Sequence, residues 1–249
     1  MPEAALADRT YNNCRRSFAE LRPRVYQDGD SVSLQFQIGE IQSEMLASDP
    51  NFLVLSYTRT MVAFTLFNPA PRRIAIIGLG GGSIPKWCYH QLPVTHITVI
   101  EISAMVISLR EHFCIPADDD RFRVICGDGA DYVAGTEDSP EVLLVDGFDI
   151  HGQPAQLCSQ EFYEDCYRTL APDGVLVVNL CNSGFQEQSV YRIRRIFDDR
   201  VLIVIPEGGE NRLVFAVKGK RLPIEDEHAD ELLKKFRADS VLAPSLIQS

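Results

Sequence analysis

Two periodicities of apolar and polar positions alternate along this chain. RIAIIGL (73–79), HITVIEI (96–102), RFRVICGD (121–128), EVLLVDGFD (141–149) and VLVVNL (175–180) are short, nearly unbroken apolar runs of strand length. Runs of this kind belong to a parallel sheet covered by helices on both faces, because neither face of such a strand meets water. Between them SIPKWCYHQL (83–92), AMVISLREHF (104–113), SQEFYEDCYRTL (159–170) and SVYRIRRIF (189–197) space their apolar residues at the helical period. In the third of these, Ser159 stands at the N-cap position and Glu161 faces the positive end of the helix dipole. Strand alternating with helix predicts an α/β fold with a doubly wound, mostly parallel sheet. VLIVIP (201–206) and NRLVFAVKG (211–219), joined through Glu207-Gly208-Gly209-Glu210, predict a closing antiparallel hairpin.

The flanks follow other patterns. Residues 24–46 alternate about the turn signal Asp28-Gly29 and predict a small antiparallel hairpin. Residues 56–67 have helical spacing and stop at Asn68-Pro69-Ala70-Pro71, and residues 225–240 predict a charged amphipathic helix. The expected division is an N-terminal appendage over 1–55 and one larger domain over 56–249.

Composition narrows the function. With 249 residues, 45% of them hydrophobic, the chain can bury a large single core. A net charge of −11 argues against a nucleic-acid or anionic-membrane surface, either of which needs a basic stripe, and it would attract a cationic substrate. No apolar stretch has the length of a membrane span and the first residues carry no signal-peptide core, so the expectation is a cytoplasmic protein. Seven scattered cysteines show no metal-ligand spacing; reduced thiols and no metal are expected. The five histidines do not cluster, and only His151, beside Asp149, has a second reading as a residue of a gating loop.

In doubly wound sheets ligands bind beyond the carboxyl ends of the strands. There the sequence places Gly78-Leu79-Gly80-Gly81-Gly82-Ser83, then Glu101, then Asp128-Gly129, then Asp146 and Asp149, after the first, second, third and fourth core strands respectively. Glycines allow a tight turn and close backbone approach, and an acid about 20 residues further on can take the hydroxyls of a ribose. Two ligand classes share that pattern: dinucleotides, and the sulfonium nucleoside S-adenosylmethionine with its relatives. Asp128, placed to accept from an adenine amino group, favours the second class; its plainer reading is a turn residue ahead of Gly129.

VDGFDIHGQPAQLCSQEFY (145–163) resembles the active-site segment of the spermidine synthase family, and the resemblance extends through PAPRRIAIIG, VIEIS, VICGDGADY and LAPDGVLVVNL. It implies the Rossmann-like fold of S-adenosylmethionine-dependent methyltransferases, with S-adenosylmethionine or its decarboxylated form as co-substrate and no metal. The implied nucleoside-binding residues are Gly78, Gly80, Gly81, Gly82, Glu101, Asp128 and Gly129. Asp146 would orient the attacking amine and accept its proton, Asp149 would hold the cationic substrate, and Tyr57 and Asn179 would complete the amine site. The partner implied is a small amine such as putrescine, and a homodimer is in keeping with the family. The chain departs from the family at Gly81, where an acid grips the donor's amino group, at Asn179, where the family often has a glutamine, at Ile205-Pro206-Glu207-Gly208, where a tyrosine-rich segment is expected, and in its short N-terminal part, so the amine pocket is expected to be altered. Aminopropyl transfer is the leading expectation. Methyl transfer from intact S-adenosylmethionine, to which Gly81 would open the pocket, is the alternative within the same chemistry, and a noncatalytic nucleoside-binding module is the alternative of another class.

Overall fold

The structure, a computed structural model, describes residues 22–37, 39–149, 152–181, 186–208 and 211–219. The amphipathic helix expected over 225–240 lies outside them, as does His151. Seven strands form the main sheet: β4 (Arg73–Ile77), β5 (His96–Glu101), β6 (Phe122–Cys126), β7 (Val142–Val145), β8 (Val175–Cys181), β9 (Val201–Val204) and β10 (Asn211–Val217). Their order is β6-β5-β4-β7-β8-β10-β9, parallel from β6 to β8, with β10 antiparallel to both of its neighbours. The chain winds outward from β4 through β5 to β6, returns to β7 on the other side of β4, and continues outward. The winding therefore reverses between β4 and β7, which is where ligands of such folds sit.

The continuous apolar runs are explained by two cores. α1 (Ser56–Met61), α2 (Ser83–Gln91) and α3 (Ala104–Ile107) cover one face, against Ile74, Ile76, Val177 and Phe215. α4 (Gly129–Gly135), α5 (Gln160–Thr169) and α6 (Gln186–Ile196) cover the other, against Ala75, Ile77, Leu143 and Val178. Ser159 caps α5 as expected, its Oγ accepting the Phe162 N–H at 3.0 Å. The stretch 104–113 does not stay one helix: α3 ends at Ile107 and a 3₁₀ turn occupies Arg110–Phe113. At the break the Ser108 hydroxyl donates to the Met105 carbonyl at 2.7 Å, a local bond of the kind that competes with continued helix.

The N-terminal part holds one strand more than the expected hairpin. β1 (Arg24–Asp28), β2 (Ser31–Gln35) and β3 (Ile41–Leu46) form an antiparallel sheet of their own. Val32, Leu34 and Met45 point from it into the core that holds α1 and α2. This small sheet lies over the turn that leaves β4, and so roofs the strand ends.

Candidate active site

At the reversal point the ends of four strands are held side by side by backbone bonds that prolong the ladders. Gly78 N donates to Ile100 O at 2.8 Å, Asp146 N to Ile77 O at 2.8 Å, and Gly127 N to Glu101 O at 2.9 Å. Gly78 has φ of 101°, and a Cβ there would strike the Asp146 carbonyl, so β4 and β7 approach this closely only because residue 78 is glycine. Beyond it opens a cleft whose empty space, its solvent-filled mouth included, amounts to about 1020 Å³.

Of the residues expected to hold a nucleoside, Gly78, Gly80, Glu101, Asp128 and Gly129 line this cleft. Glu101 is 8% exposed, and its two oxygens accept the backbone N–H groups of Leu79 at 2.9 Å and Ser103 at 2.8 Å. Burial pushes its pKa up, and those donors, with the N–H groups of Gly80 and Ile102, oppose the rise. The carboxylate thus ties the glycine loop to the end of β5, at the lining of the cleft. Asp128 is 6% exposed; Oδ1 accepts the Ala130 N–H at 2.8 Å and caps α4, whereas Oδ2 is buried with no hydrogen-bond partner among the described residues. The turn reading and the ligand reading of Asp128 therefore fall on different oxygens of one carboxylate. A buried acceptor without a donor is costly alone and suits a ligand amino group.

Asp146 stands at the end of β7 with the hydroxyl of Tyr57, on α1, donating to Oδ2 at 3.2 Å and the Asn179 amide, on β8, donating to Oδ1 at 2.9 Å. Behind it the Asn211 amide, on β10, donates to Asn179 Oδ1 at 2.9 Å. Burial raises the pKa of Asp146, and the bonds from Asn179 and Tyr57 pull it back. The result is a desolvated carboxylate, fixed by two donors and opening on the cleft, suited to take a proton from a nearby amine.

The other expected residues are placed differently. Asp149 lies off the cleft lining, in the loop after β7, where its backbone pairs with Gly152. Gly81 and Gly82 also lie off it; Gly82 adopts φ of 70° at the N-cap of α2, and a Cβ on Gly81 would sit 2.6 Å from Ser43 Oγ. The small sheet and the bend after β2 contribute Leu34, Phe36, Gln42 and Ser43 to the lining, residues that the sequence did not single out. The one available signal was a serine on the inward-facing row of β3, shared with Met45. Among the described residues no group of three His, Cys, Asp or Glu could hold a metal, and no helix is long and apolar enough to cross a membrane.

Residues 54–224 match the family model described as the spermine/spermidine synthase domain. The polyamine aminopropyltransferase of Chromobacterium violaceum is 38% identical over 191 residues, 75% of this chain and 73% of the relative. That of Neisseria meningitidis serogroup A is 33% identical over 238 residues, 91% of this chain and 89% of the relative. Among solved structures, a probable spermidine synthase from Corynebacterium glutamicum superposes with a TM-score of 0.68 at 20% identity, over 78% of this chain and 76% of that one. Human methyltransferase-like protein 13, in complex with SAH, superposes with 0.66 at 21% identity, over 76% of this chain and 94% of that one. At these identities the two superpositions speak for the fold.

Proposed function

This chain belongs to the spermine/spermidine synthase family, and from that membership and the chemistry of the cleft we propose that Asp146 is the base of an aminopropyl transfer from decarboxylated S-adenosylmethionine to a small diamine. Family membership favours aminopropyl transfer over the methyl-transfer and noncatalytic alternatives. The observation that carries the assignment is the Asp146 carboxylate, desolvated yet fixed by Tyr57 and Asn179 at the floor of the cleft.

The cleft suits the donor. The glycine loop lets a nucleoside approach the backbone, Glu101 is positioned for the ribose, and the unpartnered Asp128 Oδ2 fits the adenine amino group. The donor supplies an electrophilic propyl carbon on a sulfonium, which departs as a neutral thioether, so the chain needs no general acid. The acceptor arrives as an ammonium, which has no lone pair; Asp146 takes one of its protons and holds the freed nitrogen in line with the carbon. The C–N bond then forms as the C–S bond breaks, the sulfur keeping the electron pair. Tyr57 and Asn179 keep the carboxylate from turning away from the amine. Asp149, in the loop after β7, adds negative charge that attracts the cationic diamine. Within the division at residues 55 and 56, β3 roofs the donor. A homodimer and a cytoplasmic setting complete the proposal.

The test is incubation with decarboxylated S-adenosylmethionine and diamines of graded length, putrescine among them, with mass-spectrometric readout. Methylthioadenosine and the aminopropylated amine should appear in equal amounts. Absence of both with every diamine, in protein that binds methylthioadenosine, would overturn it.

A further inference from the structure

We propose that Asn211 is a positioning residue for the reaction, setting the direction of a hydrogen-bond chain that ends on Asp146; this rests on the reading of Asp146 as the base. β8 and β10 are antiparallel with Asn179 opposite Leu213 and Cys181 opposite Asn211. Asn179 and Asn211 are therefore diagonal neighbours on one face, a separation that two carboxamides can bridge. On that face each strand runs apolar toward the cleft, Val175 and Val177 on β8, Phe215 and Leu213 on β10, and each apolar row is followed by an asparagine. Asn179 is 1% exposed, so both ends of its amide must be satisfied inside the protein.

An asparagine side chain can turn either end toward a neighbour, and Asp146 needs the donor end when it is ionised. Nothing in Asn179 itself selects that end. Asn211 does: its Nδ2 donates to Asn179 Oδ1 at 2.9 Å, which leaves Asn179 Nδ2 to donate to Asp146 Oδ1 at 2.9 Å. The bond from Asn179 pulls the Asp146 pKa down against the rise that burial causes, so this direction favours the ionised form that a base needs.

The experiment compares Asn211→Leu, Asn211→Asp, Asn211→Gln and Asp146→Asn with the parent. It measures kcat against pH, using decarboxylated S-adenosylmethionine and the diamine the parent uses best, and affinity for methylthioadenosine. Asn211→Leu removes the donor at nearly constant shape and leaves the Asn179 amide free to turn its oxygen toward Asp146; kcat should fall about tenfold and the acid limb should move up by about one pH unit, the scale of losing Asn179's bond to the charged carboxylate. Asn211→Asp replaces the donor by an acceptor and draws the Asn179 amide away from Asp146, so its loss should exceed that of Asn211→Leu. Asn211→Gln keeps a donor and should recover most of the rate, and methylthioadenosine affinity should be parental throughout. A merely structural role would lower kcat without moving the acid limb and would not rank Asp below Leu. If Asp146→Asn is inactive while the leucine and aspartate variants keep the parental pH profile, Asn211 has no such role. If Asp146→Asn turns over like the parent, the reading of the base has failed instead.

Discussion

Replacing Asp128 by asparagine separates what this carboxylate does for the fold from what it does for a ligand. Oδ1 caps α4 through the Ala130 N–H at 2.8 Å, and asparagine caps a helix about as well as aspartate, so folding stability should stay within about 1 kcal/mol of the parent. Oδ2 is the buried, unpartnered oxygen, and there the variant places an amide N–H₂. The adenine amino group would then face a donor where it had faced a charged acceptor. One hydrogen bond to a charged group contributes about 1.5–3 kcal/mol, so methylthioadenosine should bind roughly 10- to 150-fold more weakly. Methylthioinosine carries a carbonyl acceptor at the same ring position, and the variant should bind it more tightly than the parent does. Calorimetric titration of both proteins with both nucleosides, alongside thermal unfolding, reads all four affinities and the stability. Parental affinity for methylthioadenosine, or equal loss for the two nucleosides, would refute the placement of the adenine on Asp128.

Glu101→Gln presents an N–H₂ to either Leu79 N or Ser103 N, both donors, so it should cost about 1–3 kcal/mol of stability as well as nucleoside affinity, seen in denaturant unfolding and in titration. Gly81→Asp should not sharpen preference for the decarboxylated donor, because Ser43 fills the space beside residue 81; Gly81→Asp with Ser43→Gly should tolerate the acid better, as the ratio of kcat/KM for the two donors and the Tm of each variant would show. Asp146 has a folded pKa above its ordinary value, so its ionised form opposes folding, and the parent gains stability as pH falls from above that raised value toward the ordinary carboxylate range. Asp146→Asn lacks this dependence: its Tm should equal or exceed the parent's in mildly alkaline buffer, and the gap should close on acidification. Asp149→Asn should raise the KM for the diamine with little effect on kcat, read from steady-state kinetics.

The parallel core was legible because burial on both faces writes itself as unbroken apolar runs, RIAII, VLLV and VLVV among them, and because glycines and acids stand where those runs stop. The cap of α5 was legible for a similar reason, since Ser159 meets its partner within one helical turn. α4 was not anticipated: GADYVAG is short and bounded by glycines, and its start is fixed by the Asp128 cap more than by any period. β3 was missed because the link from β2 passes through a bend and Gly39 without a two-residue hairpin signal. The roof over Gly81 and the link from Asn211 to Asn179 depend on which surfaces meet and in what register. Serine inward on β3 and asparagine at the start of β10 carry no local mark of the partner they will find. Asp146 and Asn179, by contrast, were expected at one site and are joined at 2.9 Å.

The central claim is that Asp146 carries the transfer step in a cleft that binds the nucleoside without its help. Its most direct test is a single-turnover experiment with decarboxylated S-adenosylmethionine and the diamine the parent uses best, run on the parent and on Asp146→Asn after both have been titrated with methylthioadenosine. The account predicts equal methylthioadenosine affinity and a transfer rate at least about 10²-fold lower in the variant, the size expected for loss of a general base. A variant that binds the nucleoside and transfers at the parental rate would contradict it.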